Sequence, residues 1–343
     1  MSDAREAGYR LVGRRLDYLL HLRPAEWPIM AAHTAVGYLL AVGLAGAAGG
    51  ERLGPALVGL GLWVVCLNGG TLALNSAFDR DEGDIAYLRR PPPPPRYLAA
   101  YSIALMGIGQ ALAFRLPEPF PMLYAVCFVL SVAYSVPPLR LKAVGGAVWL
   151  INMWGFGTFT PAAGWAATGG PIDPARGLVL LAFCPRFAAL YPLTQLYQVD
   201  EDVRRGDRTL ASALGVRRSL TAAVSAAALA FLLFAVAGVM AGWHAGAPDR
   251  WRWAALTVAL LAWAAVLLPW RARWATWGPA AHERGMYRAL GAWAVTDLVT
   301  VLVWGSGALG SPVSRYVYFA HHHLRPGRRH AIGDGAARGS RPH

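Results

Sequence analysis

Apolar residues come along this chain in long blocks, separated by short and dense polar stretches, with no strand-like alternation. About nine blocks stand out, near 27–47, 54–77, 97–115, 119–136, 146–167, 177–197, 218–241, 252–270 and 287–306. A helix needs ~20 mostly apolar residues, at ~1.5 Å each, to cross ~30 Å of hydrocarbon. Backbone groups find no water there, so helices satisfy them internally. The blocks are too long and unbroken for the short alternating strands of a membrane β-barrel. The pattern therefore predicts an all-α integral membrane protein, a bundle of about nine transmembrane helices. The third block, with Gln110 and a terminal Arg115, and the glycine-rich fifth are the least apolar.

The polar stretches give the orientation. Arginine is concentrated in the N-terminal arm (Arg5, Arg10, Arg14, Arg15, Arg23) and in every second loop thereafter. Those loops carry Arg80, Arg89, Arg90 and Arg96, then Arg140 and Lys142, then Arg204, Arg205, Arg208, Arg217 and Arg218, then Arg271, Arg273, Arg284 and Arg288. The alternate loops hold Arg52, Arg115, Arg176, then Arg250 and Arg252. The positive-inside bias puts the arm and the arginine-rich loops in the cytoplasm. The basic tail then falls on the other side, against its own charge. The expected organisation is a basic arm over 1–26, a transmembrane domain over 27–308 and a basic, disordered tail over 309–343. The expected location is the inner, or plasma, membrane of a bacterium.

Composition agrees, because charged residues make up 15% of the chain against ~25% in soluble domains. The net charge of +13 gathers at membrane edges, which points to lipid headgroups and topology and away from nucleic acid. Cys66, Cys127 and Cys184 lie in apolar blocks without metal or redox spacing and read as free thiols. Met1–Arg15 is polar and has no signal-peptide character. The His321–His323 run sits in a glycine- and arginine-rich tail and reads as disordered.

Chemistry gathers at two block ends. The second block closes in LNSAFDRDEGD, residues 74–84, where Asn75 and Asp79 are one helical turn apart and Asp81, Glu82 and Asp84 follow. The sixth closes in YQVDEDVRRGD, residues 197–207, with Gln198 and Asp202 at the same spacing and Asp200 and Glu201 between them. One such cluster reads equally well as a solvated helix end balanced by arginines. Two on the same side weaken that reading, because crowded carboxylates repel and a divalent cation relieves the repulsion. Mg2+ prefers oxygen ligands and bridges readily to substrate phosphates, as a diphosphate substrate would require. No GxxxxGK[ST] phosphate loop is present.

A third element, AYSVPPLRLK at 133–142, has Pro137 and Pro138 to stop the fourth helix. It presents Arg140 and Lys142, the one lysine of the chain, on the side of the acids. They read as an ordinary positive-inside pair or as contacts to diphosphate oxygens. Aromatic residues such as Trp63, Trp149, Trp154, Phe156, Phe159, Tyr191 and Trp293 serve packing for the most part, while some are candidates to line a tunnel and face a carbocation. Asn152 and Asp297, polar within apolar blocks, are functional candidates by position. Pro91–Pro95 forms a stiff loop after the first cluster, either a spacer or part of a lid.

Together these residues resemble the UbiA superfamily of intramembrane prenyltransferases over almost the whole chain. Asn75 and Asp79 match its Asn-x-x-x-Asp motif, although Gly83 stands where a further aspartate is usual. Asp202 and Gly206 match the second motif, with Gln198 in place of its first aspartate. Arg140 and Lys142 match the family's basic pair. The resemblance implies a Mg2+-dependent transfer of a prenyl group from a polyprenyl diphosphate to an aromatic or quinone-like acceptor. Asn75, Asp79, Asp81, Glu82, Asp84, Asp200, Glu201 and Asp202 are then the metal-binding candidates. Asp79, Asp202, Arg140 and Lys142 form the expected catalytic set; Asn75, Arg140, Lys142, Tyr134, Tyr197 and Gln198 form the substrate-binding set. Two rivals remain, a terpene cyclase on the same scaffold and a secondary transporter. Transporters place binding groups near the midplane, whereas these acids lie at helix ends. A CDP-alcohol phosphotransferase is disfavoured because no DGxxAR-type opening flanks either cluster.

Overall fold

In a computed structural model, the described residues are 3–79, 88, 90–199, 209–244 and 248–306. Every apolar block is helical. Helices α3 (Trp27–Gly46), α4 (Leu53–Asp79), α5 (Leu98–Ala113) and α6 (Phe120–Ser135) come from the first four blocks. The fifth block is one winding run: α7 (Gly145–Asn152), a π-helical stretch (Met153–Phe159) and α8 (Thr160–Ala166). Then come α9 (Pro174–Leu190), continued by a 3-10 stretch over Tyr191–Gln195, α10 (Leu210–Met240), α11 (Arg250–Arg273) and α12 (Pro279–Gly305). Six described helical runs are long and apolar enough to cross a membrane; α5 and α6 are shorter apolar helices.

Local chemistry sets the helix ends. Asp173 accepts a hydrogen bond from the Arg176 amide at 2.9 Å ahead of Pro174, a capped start for α9. Thr209 caps α10 through the Ser212 amide at 3.1 Å. Helix α10 begins earlier than its apolar block because a short first segment breaks at Gly215, whose φ is +74°. Helix α4 is π-wound over Leu62–Gly69. Such extra-residue turns re-aim the side chains beyond them, here Asn75 and Asp79.

Two apolar clusters hold the bundle. One, among α4, α5, α6 and α8, is built on Trp63, Leu74, Met106, Phe120 and Tyr124. The other, among α9 to α12, is built on Phe183, Phe234, Trp263 and Trp270. Helix α3 packs against α8 between them. A Cβ on Gly37 would lie 1.6 Å from the Pro161 carbonyl oxygen, and one on Gly164 would lie 1.9 Å from that of Thr34. The two backbones meet directly, as small residues allow in membrane helix pairs.

The basic arm contains two helices, α1 (Asp3–Val12) and α2 (Leu16–His21). Arg5 donates to the Arg90 carbonyl at 2.9 Å, and His21 Nε2 lies 3.1 Å from the Pro92 carbonyl. The arm is therefore tied to the proline loop. Burial holds the His21 imidazole below its usual pKa, outweighing the Pro92 contact. The 309–343 tail lies outside the described residues.

Candidate active site

Helix α4 ends on Asn75 and Asp79, one turn apart, so both side chains leave the same face. Across from them, α6 stops at Ser135 and Val136 is extended. The Arg140 amide closes the turn by donating to the Val136 carbonyl at 3.0 Å. Arg140 itself sits in the left-handed region at φ +35°, a conformation that costs a non-glycine residue of order 1–3 kcal/mol. A single 3-10 turn, Leu141–Ala143, follows and carries Lys142.

This turn brings the basic pair onto the helix end. The Lys142 ammonium donates to Asn75 Oδ1 at 2.7 Å and also to Asp79 Oδ1. Arg140 Nη2 reaches the same Asp79 oxygen at 3.4 Å. The Lys142 side chain is 11% exposed, while that of Arg140 is 49% exposed. Lys142 is thus held within the site, and Arg140 stands at its mouth with half its surface free to meet an anion.

Tyr134, on the last turn of α6, neighbours Asn152 of α7 and lies within electrostatic reach of Asp79. The Gln198 amide donates to the Gln195 carbonyl at 3.2 Å at the end of the α9 run. Tyr197 lines a cavity of about 190 Å³ with Trp274, Trp277 and His282. The described contacts therefore join Asn75, Asp79, Arg140 and Lys142, with Tyr134 alongside, and place Tyr197 on the wall of that cavity. Asp81, Glu82, Asp84, Asp200, Glu201 and Asp202 lie outside the described residues.

The donors that are described suit a hard cation. Asn75 and Asp79 turn carboxamide and carboxylate oxygens onto one point, and a positive nitrogen already sits there. Oxygen donors converging in this way match the preference of Mg2+. Among the described residues alone, no three His, Cys, Asp or Glu side chains form a metal-binding group.

A second charged constellation lies inside the bundle. Arg186 of α9 is fully buried and pairs with Asp297 of α12. Its guanidinium carbon lies 3.6 Å from the Trp293 ring centroid and 4.4 Å from that of Phe183. His33 of α3 places Nδ1 3.7 Å from Asp297 Oδ2. Asp297 stands out in the sequence as a charge within an apolar block, while Arg186 and His33 are overlooked there. The signal that finds them is the same one: an ionisable residue well inside a spanning run.

The profile of the UbiA prenyltransferase family matches residues 36–291. A digeranylgeranylglyceryl phosphate synthase of Natronomonas pharaonis is 33% identical over 215 residues, covering 62% of this chain and 73% of that protein. A lycopene elongase/hydratase of Haloferax volcanii is 28% identical over 240 residues, or 67% of this chain and 76% of the relative. Among solved structures, a UbiA homolog from Archaeoglobus fulgidus bound to GPP and Mg2+ superposes with a TM-score of 0.60 at 19% identity, covering 85% of this chain and 99% of the other. The structure of a digeranylgeranylglyceryl phosphate synthase in membranes gives 0.65 at 13% identity, covering 85% and 98%. The structural likenesses establish the fold, and the profile spans most of the chain: this integral membrane protein belongs to the UbiA prenyltransferase family and is a prenyltransferase.

Proposed function

We propose that this protein transfers a prenyl group from a polyprenyl diphosphate to a lipophilic acceptor, within the membrane and with its charged site on the cytoplasmic side. The observation that carries this reading is the Asn75–Asp79–Lys142–Arg140 array, in which two cations and two oxygen donors meet at a helix end. In this reading Arg140 and Lys142 exchange part of their bonding to Asp79 for diphosphate oxygens, and so orient the donor with its chain directed into the bundle. Asn75 and Asp79 would hold Mg2+, with ligands from Asp81, Glu82, Asp84, Asp200, Glu201 and Asp202. When bound, Mg2+ supplies charge neutralisation to the departing diphosphate. Tyr134 borders the point where the chain enters. The aromatic side chains beyond it, Phe156, Phe187 and Trp293, exclude water and face the allylic cation with their ring π-systems.

The aromatic or quinone-like acceptor rests on the family resemblance. The names of the sequence relatives instead include a glyceryl phosphate and lycopene. The test is a panel of donors (geranyl, farnesyl and geranylgeranyl diphosphate) against lycopene, geranylgeranylglyceryl phosphate and 4-hydroxybenzoate, with purified protein in detergent. A prenylated acceptor supports the reading. A cyclic hydrocarbon formed from donor alone would replace it with the cyclase.

A further inference from the structure

The arginine-rich end of the bundle carries a cavity to which the proposed transfer assigns no step. Its volume is about 190 Å³, and it lies where the α9 run ends, α10 begins and α11 turns into α12. Tyr197, Val199, Val216, Trp274, Trp277 and His282 are on its wall. Two further lining residues, Ala275 and Pro279, are exposed, so its rim reaches the surface. The wall is preformed. The fully buried Trp270 indole donates to His282 Nδ1 at 2.8 Å and stacks on Trp277 at 5.5 Å. A Cβ on Gly285 would lie 2.7 Å from the Trp270 ring, so α12 packs hard against that ring.

The rim is basic. Arg217 follows Val216 and Arg273 precedes Trp274, and both arginines are exposed, as is Arg218. Arg271 crosses from α11 to α10: its Nε donates to Thr221 Oγ1 at 2.7 Å, and that hydroxyl donates to the Arg217 carbonyl at 2.9 Å. The bridge sets Arg271 beside the turn of α10 that bears Arg217 and Arg218. With Arg284 and Arg288, this end of the three helices carries six arginines against one carboxylate, Glu283. Among the described residues, Arg217, Arg218, Arg271 and Arg273 make no ion pair with an acid.

The positive-inside bias accounts for arginine at this end of the bundle. It does not account for an aromatic-walled cavity among the arginines. Tryptophan and tyrosine rings suit the headgroup level of a bilayer, apolar on the ring and polar at the tip. Leu268, 55% exposed and three residues before Arg271, continues the same face of α11 one turn deeper as an apolar surface. Basic rim, aromatic wall and apolar face together complement an amphiphile with an anionic head. Basic pockets between spanning helices take such headgroups, each cation adding to the attraction.

We propose that this cavity binds the headgroup of an anionic glycerophospholipid, its phosphate against Arg217 and Arg271 and its chains along the α10–α11 face. The site does not depend on the transferase reading, and its test needs no turnover. Purified protein in neutral detergent is titrated with phosphatidylglycerol, with phosphatidylcholine of the same chains, with geranylgeranylglyceryl phosphate and with inorganic phosphate. Retained lipid is counted by native mass spectrometry, and the unfolding midpoint is followed beside it. Phosphatidylglycerol should be retained and raise the midpoint; phosphatidylcholine and inorganic phosphate should do neither. Arg217→Gln combined with Arg271→Gln should weaken retention about tenfold or more. Arg14→Gln combined with Arg15→Gln, in the basic arm, should leave it unchanged. Ala275→Trp adds bulk at the cavity wall with every arginine in place; it should weaken retention too, and serves if the double variant does not fold. Equal retention of the two phospholipids would overturn the proposal, as would undiminished retention in a folded cavity variant or equal loss in the arm variant. A midpoint raised equally by inorganic phosphate would reduce the site to a non-specific anion contact. Tighter retention of geranylgeranylglyceryl phosphate than of phosphatidylglycerol would replace the proposal with an acceptor site.

Discussion

At the scale of single residues, Asp79 is the hinge of the charged site, since Lys142 and Arg140 both bond its Oδ1. Asp79→Ala should lower turnover by about 100-fold or more; since it also strips the 11%-exposed Lys142 of its carboxylate partner, the turnover is read on protein whose cooperative melting in detergent shows it folded. Full activity in that variant would exclude Asp79 from the site. The one-turn spacing of Asn75 and Asp79 is legible in the sequence, because helix geometry turns a spacing of four into a shared face. The resemblance places Lys142 in the same set, but its direct bonds to Asn75 and Asp79 are not legible, since they depend on a turn about Arg140, which lies 61 residues from Asp79 and is left-handed. Nor are the partners of Asp297 legible. His33, Arg186 and Asp297 come from three helices, and only packing brings them together. Averaging hydropathy over a block also conceals a lone arginine such as Arg186.

At the scale of elements, the apolar blocks were sufficient to place the helices, because long runs of one character leave little freedom for another structure. What they conceal is winding. The π stretches over Leu62–Gly69 and Met153–Phe159 and the break at Gly215 leave the apolar pattern unaltered. The α3–α8 contact gives an element-level prediction. Gly164→Ala adds a Cβ at 1.9 Å from the Thr34 carbonyl oxygen, so the helices must separate at a cost of about 1–3 kcal/mol. A lowered unfolding midpoint in detergent checks this, and an unchanged one would contradict the direct backbone contact. The N-terminal arm gives another. His21 has its folded pKa lowered by burial, so the folded state binds fewer protons than the unfolded one and stability rises with pH. The contribution is complete above about pH 6.5 and is lost as pH falls through the lower folded value. Hydrogen exchange in residues 16–21, corrected for the intrinsic pH dependence, should therefore quicken at acid pH. His21→Gln should remove that response.

At the scale of the whole molecule, the design is a division of labour along the bilayer normal. In the proposed function, the groups that would meet diphosphate, Asn75 and Asp79 with Arg140 and Lys142, sit at helix ends. The bundle beneath is apolar and aromatic, and its one described interior ion pair is matched arginine to aspartate, which limits the cost of charge in hydrocarbon. Such an arrangement allows a reactive cation to form at the membrane edge and be consumed inside, away from water. In the proposed function, the Asn75–Asp79–Lys142–Arg140 array activates a prenyl diphosphate. Diphosphate release from geranylgeranyl diphosphate by purified protein, followed with Mg2+ present, after chelation and after Mg2+ is restored, tests it most directly. Release that stops on chelation, returns with Mg2+ and is absent in Asp79→Ala is the expected result; release unaffected by chelation or by that substitution would contradict the account.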